Sequence, residues 1–163
     1  MKPHVTIKDV DRGWRQLRRD LKSAHVKVGY FAGPKDARPG DPITNVELAV
    51  VHEFGSPGQG IPERSFMRST IDAQTNEYIG VLNKLLKMAL SARAVGTSVT
   101  RALGILGEKV SADIKKRVMT GEHIPPPLKP RTIARKGSDR PLIDTGRLIT
   151  AITYLVSTGD EKK

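Results

Sequence analysis

The chain has 163 residues, 37% of them hydrophobic and only 4% aromatic, which predicts a single domain with a mainly aliphatic core. Its formal net charge of +11 favours nucleic acid, an acidic membrane or an acidic protein as a neighbour. Cysteine is absent, which excludes disulfide bonds, thiolate metal sites and cysteine nucleophiles. No signal segment is visible, and the most apolar long stretch, 78–90, is interrupted by two lysines, so we expect a cytoplasmic protein with no membrane partner.

The N-terminal third predicts a helix, a strand and a second helix in that order. Apolar residues at helical spacing favour a helix over 12–23, and alternating apolar residues favour a strand over 26–30. Thr44 or Asn45 is expected to cap the second helix, which covers 46–54. One face of this helix is predicted to carry the apolar residues Leu48, Val51 and Phe54.

Two long helices are predicted in the middle of the chain. The first follows residues 61–68, and its core-facing stripe is Tyr78, Leu82, Leu85, Leu86 and Ala89. The second runs from Ser98 to Met119, and its stripe is Val99, Leu103, Leu106, Val110, Ile114 and Val118. Gly104 and Gly107 lie inside the second helix, where they predict close contact with another backbone.

A proline-rich loop with one short helix is predicted over 121–141. Ile124 to Pro130 has the composition of an extended, polyproline-like segment. Pro130 suits the first position of a helix that continues through Arg135, and Gly137 suits the position just after its end.

The segment after this loop predicts a capped short helix and then a strand over 154–156. Asp144 occupies the position expected of the helix N-cap, and Gly146 is expected to let another backbone approach. The helix has a narrow apolar stripe that must pack against other residues, formed by Leu148, Ile149 and Ile152.

Residues that suggest enzymatic chemistry lack the partners that such chemistry needs. His52-Glu53 resembles half of a zinc-protease pattern, but Ser56 stands where the second histidine is required. No serine lies in a Gly-x-Ser-x-Gly elbow, and no carboxylate pair has the spacing of metal ligands on a predicted helix. The sequence therefore predicts a protein without catalytic residues, metal or cofactor. A hydrolase is an alternative that would depend on His52 or Asp144.

Three short motifs follow one another along the chain: Val51-His52-Glu53-Phe54-Gly55, Ile61-Pro62-Glu63-Arg64-Ser65-Phe66-Met67-Arg68 and Pro141-Leu142-Ile143-Asp144-Thr145-Gly146-Arg147-Leu148. Together they resemble the head–tail joining or tail-completion proteins of tailed bacteriophages, a family of virion neck components. The second is similar to the family's Ile-Pro-x-Arg-Pro-Phe-Leu-Arg pattern, with Ser65 in place of the second proline. The third is similar to its Leu-x-Asp-Thr-Gly-x-Leu signature, and the likeness covers most of residues 12–157.

The resemblance implies a structural virion protein that forms a ring, usually of six copies, about the tail axis and has no catalytic residues. Its implied partners are other copies of itself, neighbouring neck and tail proteins, and genomic DNA that passes through the channel without base readout. The implied location is the host cytoplasm during assembly and then the neck of the virion. The motif residues expected to contact other subunits or partners are Arg64, Phe66, Arg68, Asp144, Thr145, Gly146 and Arg147.

The predicted fold class is α+β, with a small, mostly antiparallel sheet packed against two long helices and with long loops. One domain is expected over residues 1–157, followed by a polar and mobile tail over 158–163. Two alternative functions stay open. One is a basic, non-catalytic nucleic-acid-binding module, and the other is a tail terminator within the same neck assembly.

Overall fold

The computed structural model of the chain describes residues 15, 18–19, 21–33, 36, 40, 42–91, 95–121, 124–137, 139–143 and 146–157. Its elements, in chain order, are β1 (His25–Gly29), α1 (Asn45–Phe54), a 3-10 turn (Pro57–Gln59), α2 (Met67–Ser91), α3 (Val95–Thr120), α4 (Pro130–Lys136), α5 (Arg147–Thr150) and β2 (Thr153–Ser157). Strands β1 and β2 pair in a two-stranded antiparallel sheet, against which α2 and α3 pack. The predicted α+β class is confirmed. The described residues of the predicted helix 12–23 are helical, while the predicted tail over 158–163 lies outside the described residues.

The chain divides into two compact units, each built from separate stretches of sequence. The first unit contains the described residues of 1–27, 76–107 and 155–163. Its aliphatic core is centred on Val99 and Leu103 of α3, and the side chains packed around these two are Ala24, Val26, Leu82, Leu86 and Val156. The first half of the predicted α3 stripe therefore meets both strands and α2 in this core.

The second unit contains residues 28–75 and 108–154, and all the motif residues that the structure describes lie in it. Its most deeply buried side chains are Phe66, Thr70, Ile114, Val118 and Ile152. All six residues of the predicted α3 stripe are buried, so that prediction is confirmed along the whole helix. A Cβ on Gly104 would meet open space, so the close backbone contact predicted there is wrong.

Helix α1 begins with the cap that the sequence predicts. The side chain of Thr44 accepts from the Glu47 amide at 3.2 Å, and the Glu47 carboxylate accepts from the Thr44 amide at 2.8 Å, which forms a capping box. The carboxylate of Asp36, from the preceding loop, also accepts from the Val46 amide at 2.9 Å. Two separate acceptors thus hold the first turn of α1.

The apolar face predicted for α1 is not its most buried face, since Leu48 and Val51 are only half-buried. The buried residues are Asn45, Ala49 and Glu53, which are spaced four apart, while the side chain of Phe54 is 58% exposed. The helix therefore presents a carboxylate to the interior and its aromatic residue to solvent. The cause is a set of hydrogen bonds to Glu53 that comes from residues further along the chain.

The C-terminal elements follow the sequence closely, except at the start of α5. Helix α4 has Pro130 at its beginning and Gly137, at φ +69°, just after its end, as predicted. Helix α5 begins at Arg147, and Gly146 occupies its N-cap position. Asp144, the predicted cap, lies outside the described residues, so its capping role stays a prediction. Gly146 has φ +75° and no neighbouring atom where a Cβ would stand, so its role is the left-handed turn rather than a close approach.

Candidate functional site

The described parts of the three motifs come together in the second unit. The amide of Arg64, in the second motif, donates to the carbonyl of His52, in the first, at 2.7 Å. The hydroxyl of Tyr30 donates to the carbonyl of Leu148, in the third motif, at 3.0 Å. The Tyr30 ring also meets the buried Phe66 ring edge to face, with centroids 6.4 Å apart. Tyr30 therefore links the second motif to the third.

Gly55 makes the sharp turn that joins the first motif to the second. Its φ is +75°, a conformation that strains any residue with a Cβ, and it ends α1. A Cβ at this position would lie 2.7 Å from the backbone nitrogen of Glu63, so a side chain does not fit. A β-bridge between Ser56 and Ile61 closes the loop and returns the chain alongside the end of α1.

Glu53 accepts five hydrogen bonds through its buried carboxylate. Oε2 accepts from the amides of Phe66 and Met67, both at 2.9 Å. Oε1 accepts from the Ser65 hydroxyl at 2.8 Å, and from the Arg68 amide at 2.9 Å and its Nε at 3.1 Å. These amides open α2 and have no acceptor within that helix, so Glu53 acts as its N-terminal cap from another helix.

The hydrogen bonds keep the Glu53 carboxyl ionised. Burial by itself raises the pKa of Glu53, but the bonds from Met67, Arg68, Ser65 and Phe66 outweigh burial and hold this pKa below its usual value. Burial and, next to it, the charge of Glu53 raise the pKa of Tyr30. The phenol thus stays protonated and serves as a donor to Leu148.

Arg68 extends this cluster to the surface. Its Nη2 donates to the Glu53 carbonyl at 3.0 Å and to the exposed Glu63 carboxylate at 2.6 Å. Its guanidinium lies 4.6 Å from the centre of the Phe54 ring, in cation–π contact. Arg68 therefore covers the aromatic residue that α1 turns towards solvent, and its polar groups serve to join α1 to α2.

An open groove of about 910 Å³ lies beside this cluster, within the same unit. Its lining residues are Leu48, His52, Gly60, Ile61, Pro62, Arg64, Pro126, Pro127, Leu128, Lys129, Thr132, Arg135, Lys136, Leu142, Gly146 and Leu148. This lining combines aliphatic side chains with five basic ones and, among the described residues, includes no carboxylate. Such an arrangement can bind an anionic group that also carries an apolar part.

Arg64 is the most buried of the basic residues in the groove, with 7% of its surface exposed. Its Nε donates to the carbonyl of Pro126 at 3.1 Å, which ties the second motif to the proline-rich loop. Burial lowers the pKa of the Arg64 guanidinium, because the charged form has lost part of its hydration. No described carboxylate forms a salt bridge with it.

The third motif contributes a backbone in an unusual conformation to the groove wall. Leu142 has φ +64°, a left-handed geometry that costs a branched side chain about 1–3 kcal/mol. Its side chain is buried and lines the groove together with Leu148. Burial of this side chain offsets the strain and fixes the path of the chain before α5.

The structure gives the predicted contact residues of the second motif roles within the chain. Arg64 and Phe66 are buried, the latter completely, and Arg68 is bound to both Glu53 and Glu63. These contacts explain why the motif has this composition. Contact of the same residues with a neighbouring subunit stays a prediction.

The predicted contact residues of the third motif are only partly described. Asp144 and Thr145 lie outside the described residues. Gly146 lines the groove and Arg147 is exposed at the start of α5, where an additional partner has access to it. The sequence did not predict the roles of Glu53, Lys129 and Arg135. The sequence feature that could have indicated the role of Glu53 is its position as an acidic residue directly before the Phe-Gly at the end of α1.

Among the described residues, no group of three histidine or acidic side chains could hold a metal ion, and no helix is long and apolar enough to cross a membrane. His52 lines the groove, and the described residues of the groove lining include no carboxylate.

Comparison with protein-family models, curated proteins and solved structures finds no match to this chain.

Proposed function

We propose that this chain is a structural protein of the tailed-phage neck, which forms a ring that completes the tail and joins it to the DNA-filled head. The observation that carries the proposal is the convergence of the three motifs. They are far apart in sequence, and their described residues meet through Glu53, Arg64, Tyr30 and Leu148 in one unit. The pattern that suggests the neck family is thus a set of mutual contacts rather than three unrelated short matches.

The chemistry of these contacts supports a structural role. Glu53 and Arg68 form many hydrogen bonds within the chain. Their partners are backbone amides, a backbone carbonyl, the Ser65 hydroxyl, the Glu63 carboxylate and each other. A catalytic acid or base needs an open position towards a substrate. A rigid frame that presents exposed loops, such as the turn at 57–60, suits assembly with neighbouring subunits.

The charge of the chain supports passage of DNA. A net charge of +11 would attract phosphate groups to the wall of a ring channel without base readout, and this attraction weakens as salt rises. Arg147, exposed at α5, and the half-exposed Arg68 are the motif residues that we propose for contacts between subunits.

Electron microscopy of lysates tests the proposal, using a phage or induced prophage in which the gene for this chain is interrupted. We expect DNA-filled heads and separate, unattached tails, and joined particles when the gene is supplied in trans. Tails of uncontrolled length would move the protein to tail termination. Normal infectious particles would contradict the proposal.

A second candidate is a basic nucleic-acid-binding module, which the exposed arginines of the N-terminal helical segment favour. Arg15, Arg18 and Arg19 are each helical and exposed. If this is the function, the isolated monomer binds DNA in a salt-sensitive manner and charge reversal of these three residues abolishes binding. If neck assembly is the function, the same reversals leave the joining of heads to tails intact.

A further inference from the structure

We infer that the groove binds an extended, acidic peptide segment of a partner protein. A carboxylate of this segment pairs with Arg64, and an aliphatic side chain lies on the apolar floor. The inference stands on the groove itself and does not depend on the neck role.

Arg64 has bonding capacity that the described part of the chain does not use. A guanidinium has five N–H donors, and the Pro126 carbonyl, at Nε, is the acceptor that the described residues give to Arg64. Because Arg64 lines the groove, a ligand in the groove can use the remaining donors. A carboxylate fits the free edge of a guanidinium in a bidentate manner, which gives strong and directional recognition.

Positive charge is concentrated along the groove. Lys129 and Arg135 line it and are exposed at its rim. The lining residues that the structure describes include no acidic side chain. The potential in a concave site with one sign of charge is stronger than on a flat surface, so acidic segments are attracted to it.

The composition of the lining favours a peptide over nucleic acid. Its aliphatic part, which we call the floor, includes Leu48, Leu128, Leu142 and Leu148. A phosphate backbone has no apolar group to place there, and the described lining has no Phe, Tyr or Trp ring on which bases could stack in succession. An aliphatic residue between two acidic residues satisfies both the floor and the cationic rim. The groove volume of about 910 Å³ is similar to that of clefts that bind small ligands.

The test is an NMR titration of the full chain with short capped peptides, Asp-Leu-Asp and Glu-Leu-Glu, which are defined probes for weak binding. We expect saturable shifts of the Arg64 Nε–Hε signal and of the amides that line the groove, in the millimolar range. The uncharged peptides Asn-Leu-Asn and Gln-Leu-Gln test the need for charge, and Asp-Ala-Asp tests the need for the aliphatic side chain. All three are expected to bind at least about tenfold more weakly, because each lacks one of the two interactions.

Variants place the binding in the groove. Arg64→Lys keeps the charge but loses the bidentate geometry, and we expect it to weaken binding by about tenfold or more. Because Arg64 is buried, a second variant is needed in case that one does not fold. Arg135→Gln, at an exposed rim position, is expected to weaken binding by about two- to fivefold. Its matched control is Arg131→Gln, an exposed arginine of the same helix that does not line the groove, which should change nothing.

Three results would overturn the inference. One is the absence of saturable shifts with either acidic peptide. Another is equal weakening by Arg135→Gln and Arg131→Gln, which would mean that net charge alone attracts the peptides. The third is tighter binding of a thymidine oligonucleotide than of the peptides at the same groove signals, which would assign the groove to DNA. None of these results bears on whether heads and tails join, so the proposed function stands or falls separately.

Discussion

Two charged residues that are buried in the second unit, Glu53 and Arg64, differ in the number of hydrogen bonds that they make within the chain. Glu53 receives five hydrogen bonds from donors of the 65–68 segment, so its charge is compensated within the chain. Arg64, one residue before that segment, has a single acceptor among the described residues and lines an open groove. The bonds of Glu53 are thus made within the chain, whereas Arg64 keeps donors that the proposed peptide can use.

Removal of Glu53 and removal of Arg64 should therefore lower the stability of the chain by different amounts. Removing an acceptor from the Glu53 cluster leaves several buried donors without a partner. Removing Arg64 leaves one carbonyl, on the exposed Pro126, which water can reach. Stability measurements should therefore distinguish the two residues strongly, although both are buried and charged.

The largest expected effect is that of Glu53→Gln, which places an amide NH₂ group against amide donors. We expect it to lower the free energy of unfolding by about 3 kcal/mol, measured by urea denaturation. Glu63→Gln is the matched control, since Glu63 binds the same Arg68 but is exposed, and its effect should stay within about 1 kcal/mol. Equal effects of the two substitutions would contradict the assignment of Glu53 as the cap of α2.

The role of Glu53 as a charged cap also predicts how stability depends on pH. The pKa of Glu53 in the folded chain lies below its usual value of 4.5. As the pH falls below 4.5, this carboxyl is therefore protonated in the unfolded chain before it is protonated in the folded chain. Stability from Glu53 is therefore fully present above about pH 4.5 and is lost as the pH falls through the folded pKa. Glu53→Gln should reduce the slope of unfolding free energy against pH by up to about 1.4 kcal/mol per unit in this window. An unchanged slope would mean that other carboxylates cause the acid sensitivity.

A smaller loss of stability is expected at the cap of α1. This cap is exposed and comes from the residue next to the helix, whereas the Glu53 cap of α2 is buried and comes from another helix. Thr44→Ala removes the side-chain acceptor of the Glu47 amide and should cost about 1 kcal/mol in urea denaturation. Thr44→Ser keeps the hydroxyl and serves as the control. A loss as large as that of Glu53→Gln would show that burial does not set the difference between the two caps.

Features that depend on local sequence could be predicted. Spacing predicted the six apolar positions of α3. Residues within a few positions predicted the Thr44 cap of α1 and the proline and glycine that bound α4. The α+β class followed from the two strands and the two long helices. Each of these features has its cause inside a single element.

Features that depend on distant partners could not be predicted. The burial of Glu53 on α1 was not predicted, because its donors lie 12 to 15 positions later in the chain, which helical periodicity does not register. The groove likewise joins residues from Leu48 to Leu148, and nothing in the spacing of Lys129 and Arg135 indicates that they share it with Arg64. The resemblance to the neck family marked Arg64 as a contact residue without indicating what it contacts.

The most direct test of the contrast between the two buried charges is the substitution Arg64→Met, measured for both stability and peptide binding. Methionine replaces the buried stem without the charge, and the Pro126 carbonyl regains water, so the free energy of unfolding should stay within about 1 kcal/mol of the parent. Saturable binding of Asp-Leu-Asp should be lost. A loss of stability comparable to that of Glu53→Gln, with the peptide still bound, would contradict the account, because Arg64 would then be a structural residue like Glu53.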